Sequence, residues 1–147
     1  MNTQLIFELF ERDIRKIKEE LSLYKNEADI WKTGKGISNS AGTLALHLTG
    51  NLDHFVGAVL GRTGYVRERD KEFSERNVSR EKMISALDKT EETVKKTFAS
   101  LKDEDLEKEF PIEFMGKRKT LQVMFILISH LNYHLGQINY HRRLLAE

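Results

Sequence analysis

The chain has 147 residues, 39% apolar and 32% charged, and 24 Lys+Arg against 23 Asp+Glu leave a net charge of +1. This length suits a single domain over residues 1–147 with a sizeable core, and the charge balance offers no basic excess for nucleic acid or an anionic membrane. No cysteine occurs, which excludes disulfides, zinc–thiolate sites and a cysteine nucleophile, so any thiol chemistry must use a thiol carried by another molecule.

Residues 1–10 include Glu8 and no uninterrupted apolar stretch, so they do not read as a signal peptide. The longest apolar run, near residues 121–128, is far too short to span a bilayer. A cytoplasmic protein is the expectation. Leu5, Ile6, Leu9, Phe10, Asp13, Ile14, Ile17, Leu21 and Tyr24 form a stripe at helical spacing, which predicts a first helix over about 3–26. Gly34, Gly36 and Ser38-Asn39-Ser40 then mark a loop, with Ser40 placed to cap the next helix. That second helix is predicted over about 41–60, ending at Gly61 and Gly64. Residues 61–78 read as a long, charged connection.

Ser79 caps a third predicted helix, about 80–100, with Met83, Ile84, Leu87, Val94 and Phe98 inward. Residues 102–119 form another connection, extended near Phe110-Pro111-Ile112-Glu113-Phe114 and turned by Gly116. The fourth helix is expected over about 120–145 with Thr120 as its N-cap. Its first half is apolar on every side and should be the most buried. Four such helices make an all-α, four-helix bundle. An eighteen-residue connection is long enough to run back along a helix of ~30 Å, so at least one crossover is expected. No internal repeat is apparent.

Three histidines stand out among these helices. His130 and His134 form an H-x-x-x-H pair in the run Ile126-Leu127-Ile128-Ser129-His130-Leu131-Asn132-Tyr133-His134, and His47 lies within Leu44-Ala45-Leu46-His47-Leu48. Residues four apart share one helix face. Taking ~100° per residue, His134, Gln137 and His141 follow His130 in one polar stripe, and Asn51 and His54 follow His47 in another. Burying these groups without partners would cost ~1–3 kcal/mol each. A divalent ion at His47, His130 and His134 would satisfy three at once, and three ligands leave positions open for water or substrate.

The residue after His130 is Leu131, so the glutamate of an H-E-x-x-H protease is missing. Neither stripe carries a carboxylate, which removes a di-iron carboxylate bundle. His54 and His141 each lie seven residues, about 10.5 Å of helical rise, from a proposed ligand. They serve as acid/base or second-sphere groups, or as structural residues. Asn51, Gln137 and Tyr133 are candidates to orient substrate, with Tyr133 alternatively a packing residue. Trp31 either lines the cavity mouth or covers the bundle end.

The segments Leu44-Ala45-Leu46-His47-Leu48-Thr49-Gly50-Asn51-Leu52 and Ser129-His130-Leu131-Asn132-Tyr133-His134-Leu135-Gly136-Gln137 resemble the DinB/YfiT-like superfamily of metal-dependent bundles. Gly57-Ala58-Val59-Leu60 and Gly64-Tyr65-Val66-Arg67 resemble one uncharacterised branch of it. The resemblance covers essentially the whole chain. It implies a crossover bundle, a zinc, nickel or similar divalent site at His47, His130 and His134, and homodimers. Some members of that superfamily are enzymes using low-molecular-weight thiols, so the resemblance points to a thiol-dependent S-transferase or hydrolase-like enzyme acting on a small molecule. The alternative is a non-catalytic, metal-binding dimeric stress or interaction module.

Overall fold

The apolar stripe of the N-terminal segment folds as expected. In a computed structural model describing residues 2–34 and 36–146, helix α1 (Asn2–Ser22) buries Ile6, Phe10, Ile14, Ile17 and Leu21. It stops four residues early. Tyr24 leaves the helix yet is buried, its hydroxyl 2.7 Å from Nδ1 of His141, so tertiary contact rather than helical periodicity explains its apolar position. Helix α2 (Ala41–Leu52) starts where Ser40 Oγ accepts from the Thr43 amide. It continues into a π-helical segment, Asp53–Leu60, whose Gly61 amide reaches back to the Val56 carbonyl. Helix α3 (Arg69–Ser74) is short. Helix α4 (Arg80–Ser100) is capped by Ser79 as expected. Helix α5 (Thr120–Leu145) completes the set. Helix makes up 72% of this all-α structure.

α1 and α2 each pack against both α4 and α5, so α1 lies diagonally across the bundle from α2, and α4 from α5. Chain directions follow from side-chain contacts. Asn132 donates to Asp13 and Arg142 to Glu20, so α1 and α5 run parallel. Phe10 meets Phe98 while Lys18 meets Asp88, so α1 and α4 run antiparallel. Gly57 lies against Thr93 and Gly61 against Thr97, so α2 and α4 run parallel. Parallel neighbours cannot be joined by a tight turn. Residues 61–79 therefore return along the length of α2, and this is the expected crossover.

Two expectations need correction. Thr120 is not the N-cap of α5. Its amide and hydroxyl both donate to the Lys108 carbonyl, and the Lys119 amide is capped by the Gln122 side chain. Nor is the first half of α5 buried all round. The long helices it packs on are α1 and α2, with the 103–107 turn against it as well, and Phe125 is left 54% exposed. Of the extension expected over 110–114, what forms is an isolated antiparallel bridge between Glu109 and Lys119, with the Phe110 amide donating to the Arg118 carbonyl; the chain bends at 111, 112 and 114 and turns at Gly116, φ 90°. Among the described residues, no helix is long and apolar enough to cross a membrane.

Candidate metal centre

Leu44, Ala45, Leu48 and Leu52 bury one face of α2. That seating turns His47 toward α5, where His130 and His134 stand one turn apart. The Nε2 atoms of His47 and His134 each lie 3.1 Å from Nε2 of His130. The three rings meet almost perpendicularly, at 84–87°. All three residues offer ligand atoms within 4.8 Å of one another, and His47 is buried.

The outer nitrogens fix the tautomers. Nδ1 of His47 is 3.0 Å from Glu72 Oε1, an acceptor only, so Nδ1–H donates and Nε2 keeps a bare lone pair. Nδ1 of His134 is 2.6 Å from Gln137 Oε1, which has the same consequence. Three facing Nε2 atoms therefore share at most one hydrogen between them while the rings are neutral. A cation at their centre relieves that crowding, and a proton is the poorer choice. Burial, then the neighbouring imidazoles, hold His130 down to about 4, and burial also lowers His47 despite Glu72. The donor set of three neutral imidazoles, two with their second nitrogens anchored, fits a borderline divalent ion.

Glu72 was invisible to sequence periodicity. It sits on α3 in the crossover that reads as a solvated charged connection, yet it is 6% exposed. Arg67 grips it through two hydrogen bonds, Nε to Oε2 at 2.8 Å and Nη2 to Oε1 at 2.9 Å. Phe73 packs on the His47 ring, with centroids 4.8 Å apart. The usable signal was indirect: a ligating histidine needs an acceptor for its other nitrogen, and a crossover beside α2 must pass His47. Gln137, expected beside substrate, borders the cleft and also orients His134 through its carbonyl oxygen.

The remaining candidates separate. Asn51 is buried one turn beyond His47, and its Oδ1, like Nδ1 of His130, has no hydrogen-bond partner among the described residues. His54 lies in the π-helical segment against Phe55 and outside the triad. His141 is structural: Nδ1 accepts from the Tyr24 hydroxyl and Nε2–H donates to the Lys32 carbonyl at 2.8 Å. Trp31 covers the start of α2. Its indole donates to the Val78 carbonyl, and a Cβ on Gly42 would lie 2.7 Å from its ring. It does not border the cleft beside the histidine cluster. That cleft, of about 390 Å3, is lined by Ser38, Leu44, Tyr133, His134, Gln137 and Tyr140 among others.

The lowered histidines set a pH dependence for the metal-free protein. A histidine whose folded pKa lies below its unfolded value of 6.5 leaves the unfolded chain holding more protons between the two values, so stability falls as pH falls. The melting temperature of chelator-treated protein is expected to be level above about pH 7. It should then drop steadily between pH 6.5 and pH 4. A level profile through that window would contradict the burial of His130.

Fold and site together define an all-α crossover bundle with a three-histidine cluster. The chain belongs to the family described as "Protein of unknown function (DUF1572)", whose model matches residues 5–147 and which is a DinB/YfiT-like helical family. No curated protein matches it.

Proposed function

We propose that this protein binds a divalent metal through His47, His130 and His134 and is a metal-dependent enzyme acting on a small molecule, as a thiol-dependent S-transferase or a hydrolase-like enzyme. The observation that carries the reading is the meeting of three Nε2 lone pairs at 3.1 Å contacts. Zinc and nickel suit this donor set best, and iron is also accommodated. When bound, such an ion supplies Lewis acidity and lowers the pKa of a water or thiol.

The chain's own groups do the rest. Glu72 and Gln137 hold two of the imidazoles in the tautomer that presents Nε2. Tyr133 and Tyr140 wall the cleft that His134 borders, and Leu44 supplies apolar surface for a substrate body. The amide nitrogen of Gln137, on the wall of the same cleft, would donate to a substrate oxygen. The absence of cysteine means that a reacting thiol arrives as a small molecule.

One observation favours the second reading, a dimeric, non-catalytic metal-binding module. Phe125, Tyr133, Tyr140 and Leu144 are exposed along α5, at 54–69%, and a second copy of this chain would cover them. Elemental analysis of tag-free protein, with sedimentation of the same sample, tests both. The expected result is about one zinc or nickel per chain and metal-dependent consumption of low-molecular-weight thiols against a chromogenic electrophile. Bound metal in a dimer without turnover would move the assignment to the module, and absence of bound metal would remove both.

A further inference from the structure

The crossover, residues 61–79, joins two parallel helices, and its apolar anchorage is slight: Phe73 and Val78 are half-buried. Within 62–77 the side chain that is buried is that of Glu72, whereas Tyr65 and Val66 are exposed at 38% and 80%. A carboxylate nine-tenths buried needs strong partners. Glu72 has two, Arg67 of its own segment and Nδ1–H of His47 on α2. Arg67 also lies over the Phe55 ring, 5.7 Å from its centroid, and Phe73 packs on His47. The seat of α3 on the bundle is thus built on one imidazole of the metal centre.

We propose that Glu72 is a positioning residue for the metal centre and that, through it, metal binding and docking of the 62–78 crossover stabilise one another. This rests on the metal-binding reading above. Drawing electron density from Nε2 of His47 makes its Nδ1–H a stronger donor and so strengthens the bond to Glu72. Linkage is reciprocal: whatever the ion adds to crossover docking, the docked crossover adds to metal affinity. Gly50 belongs to the same device. A Cβ there would lie 2.2 Å from Glu72 Oε2, so α2 carries glycine where the carboxylate must pass to reach His47.

The test is amide hydrogen exchange of the full-length protein, chelator-treated and then loaded with zinc alone, with zinc affinity measured in parallel. Zinc is expected to slow exchange across 69–75 by about tenfold or more and to leave the α1–α4 contact unchanged. Glu72→Gln is expected to lower zinc affinity by about 10–100-fold, the usual loss on removing such a partner, and to abolish the zinc-dependent slowing in the crossover. Gly50→Ala gives an independent route: it displaces the carboxylate without altering a hydrogen-bonding group and favours helix in α2. It is expected to lower zinc affinity with helix content retained. Wild-type protein that binds zinc with no change in crossover exchange, or Glu72→Gln with wild-type affinity, would overturn the inference while leaving the metal site standing. Failure of wild-type protein to bind zinc, nickel or iron would instead overturn the metal reading, and this inference with it.

Discussion

Replacing His130 with alanine is expected to strip the protein of metal and leave its fold intact. His130 is the hub of the cluster, because its Nε2 contacts both other ligand nitrogens at 3.1 Å. Structural zinc sites in small peptides bind with about 10–16 kcal/mol at neutral pH, which sets the scale here. Shared among the ligands, that gives roughly 3 kcal/mol or more per imidazole, so affinity should fall at least about 100-fold. Metal content after dialysis should drop from one per chain to near zero. The fold has little reason to suffer. The residue is only partly buried, its Nδ1 lacks a partner among the described residues, and alanine is the better helix former. A metal-free melting temperature at or above that of the wild type is therefore expected. Retention of full metal content would contradict the site, and collapse of the fold would assign His130 a structural role instead.

Phe10→Ala is expected to do the reverse. Phe10 is fully buried in α1 and packs on Phe98 of α4, with ring centroids 5.8 Å apart. Truncating a buried phenylalanine costs about 3–5 kcal/mol, a large share of the roughly 5–15 kcal/mol that holds a domain folded. At this size a kilocalorie shifts the midpoint by about 2–4 °C, so the melting temperature should fall by roughly 6–20 °C. The contact belongs to the α1–α4 pair, whereas the histidines lie on α2 and α5. Zinc affinity of the folded protein should stay within a factor of about 3, because well-separated sites are nearly additive. Titration at low temperature checks this. A parallel loss of affinity and stability would show that the ligands are placed by the whole core rather than by α2 and α5.

Much of this was legible in the sequence where side chains repeat at helical spacing. The buried stripe of α1, the Ser40 and Ser79 caps and the His47, His130 and His134 faces all follow from local periodicity. The crossover followed from connection length alone. What sequence missed depends on contacts between distant segments. Tyr24 kept the α1 period but belongs to the His141 contact. Thr120 carries the chemistry of an N-cap but spends its hydroxyl on Lys108. The apolar first half of α5 reads as buried all round, yet α1, α2 and the 103–107 turn cover only part of it and leave Phe125 outside.

Glu72 was the largest omission. A single acidic residue among Glu68, Arg69, Asp70 and Lys71 has no periodicity to mark it, and charged connections are usually solvated. Only the parallel course of α2 and α4 forces the crossover past His47. The same reasoning separates the histidines that sequence treats alike. His141 continues the stripe of His130 and His134, but the Tyr24 hydroxyl and the Lys32 carbonyl occupy both of its nitrogens.

X-ray absorption at the metal edge, on tag-free protein loaded with zinc, tests the central assignment most directly. Three imidazole nitrogens at about 2.0–2.1 Å, with the outer-shell scattering of their rings, are the expected result, together with loss of one ring's contribution in any residual metal of His130→Ala. A first shell of oxygen alone, without imidazole scattering, would contradict it.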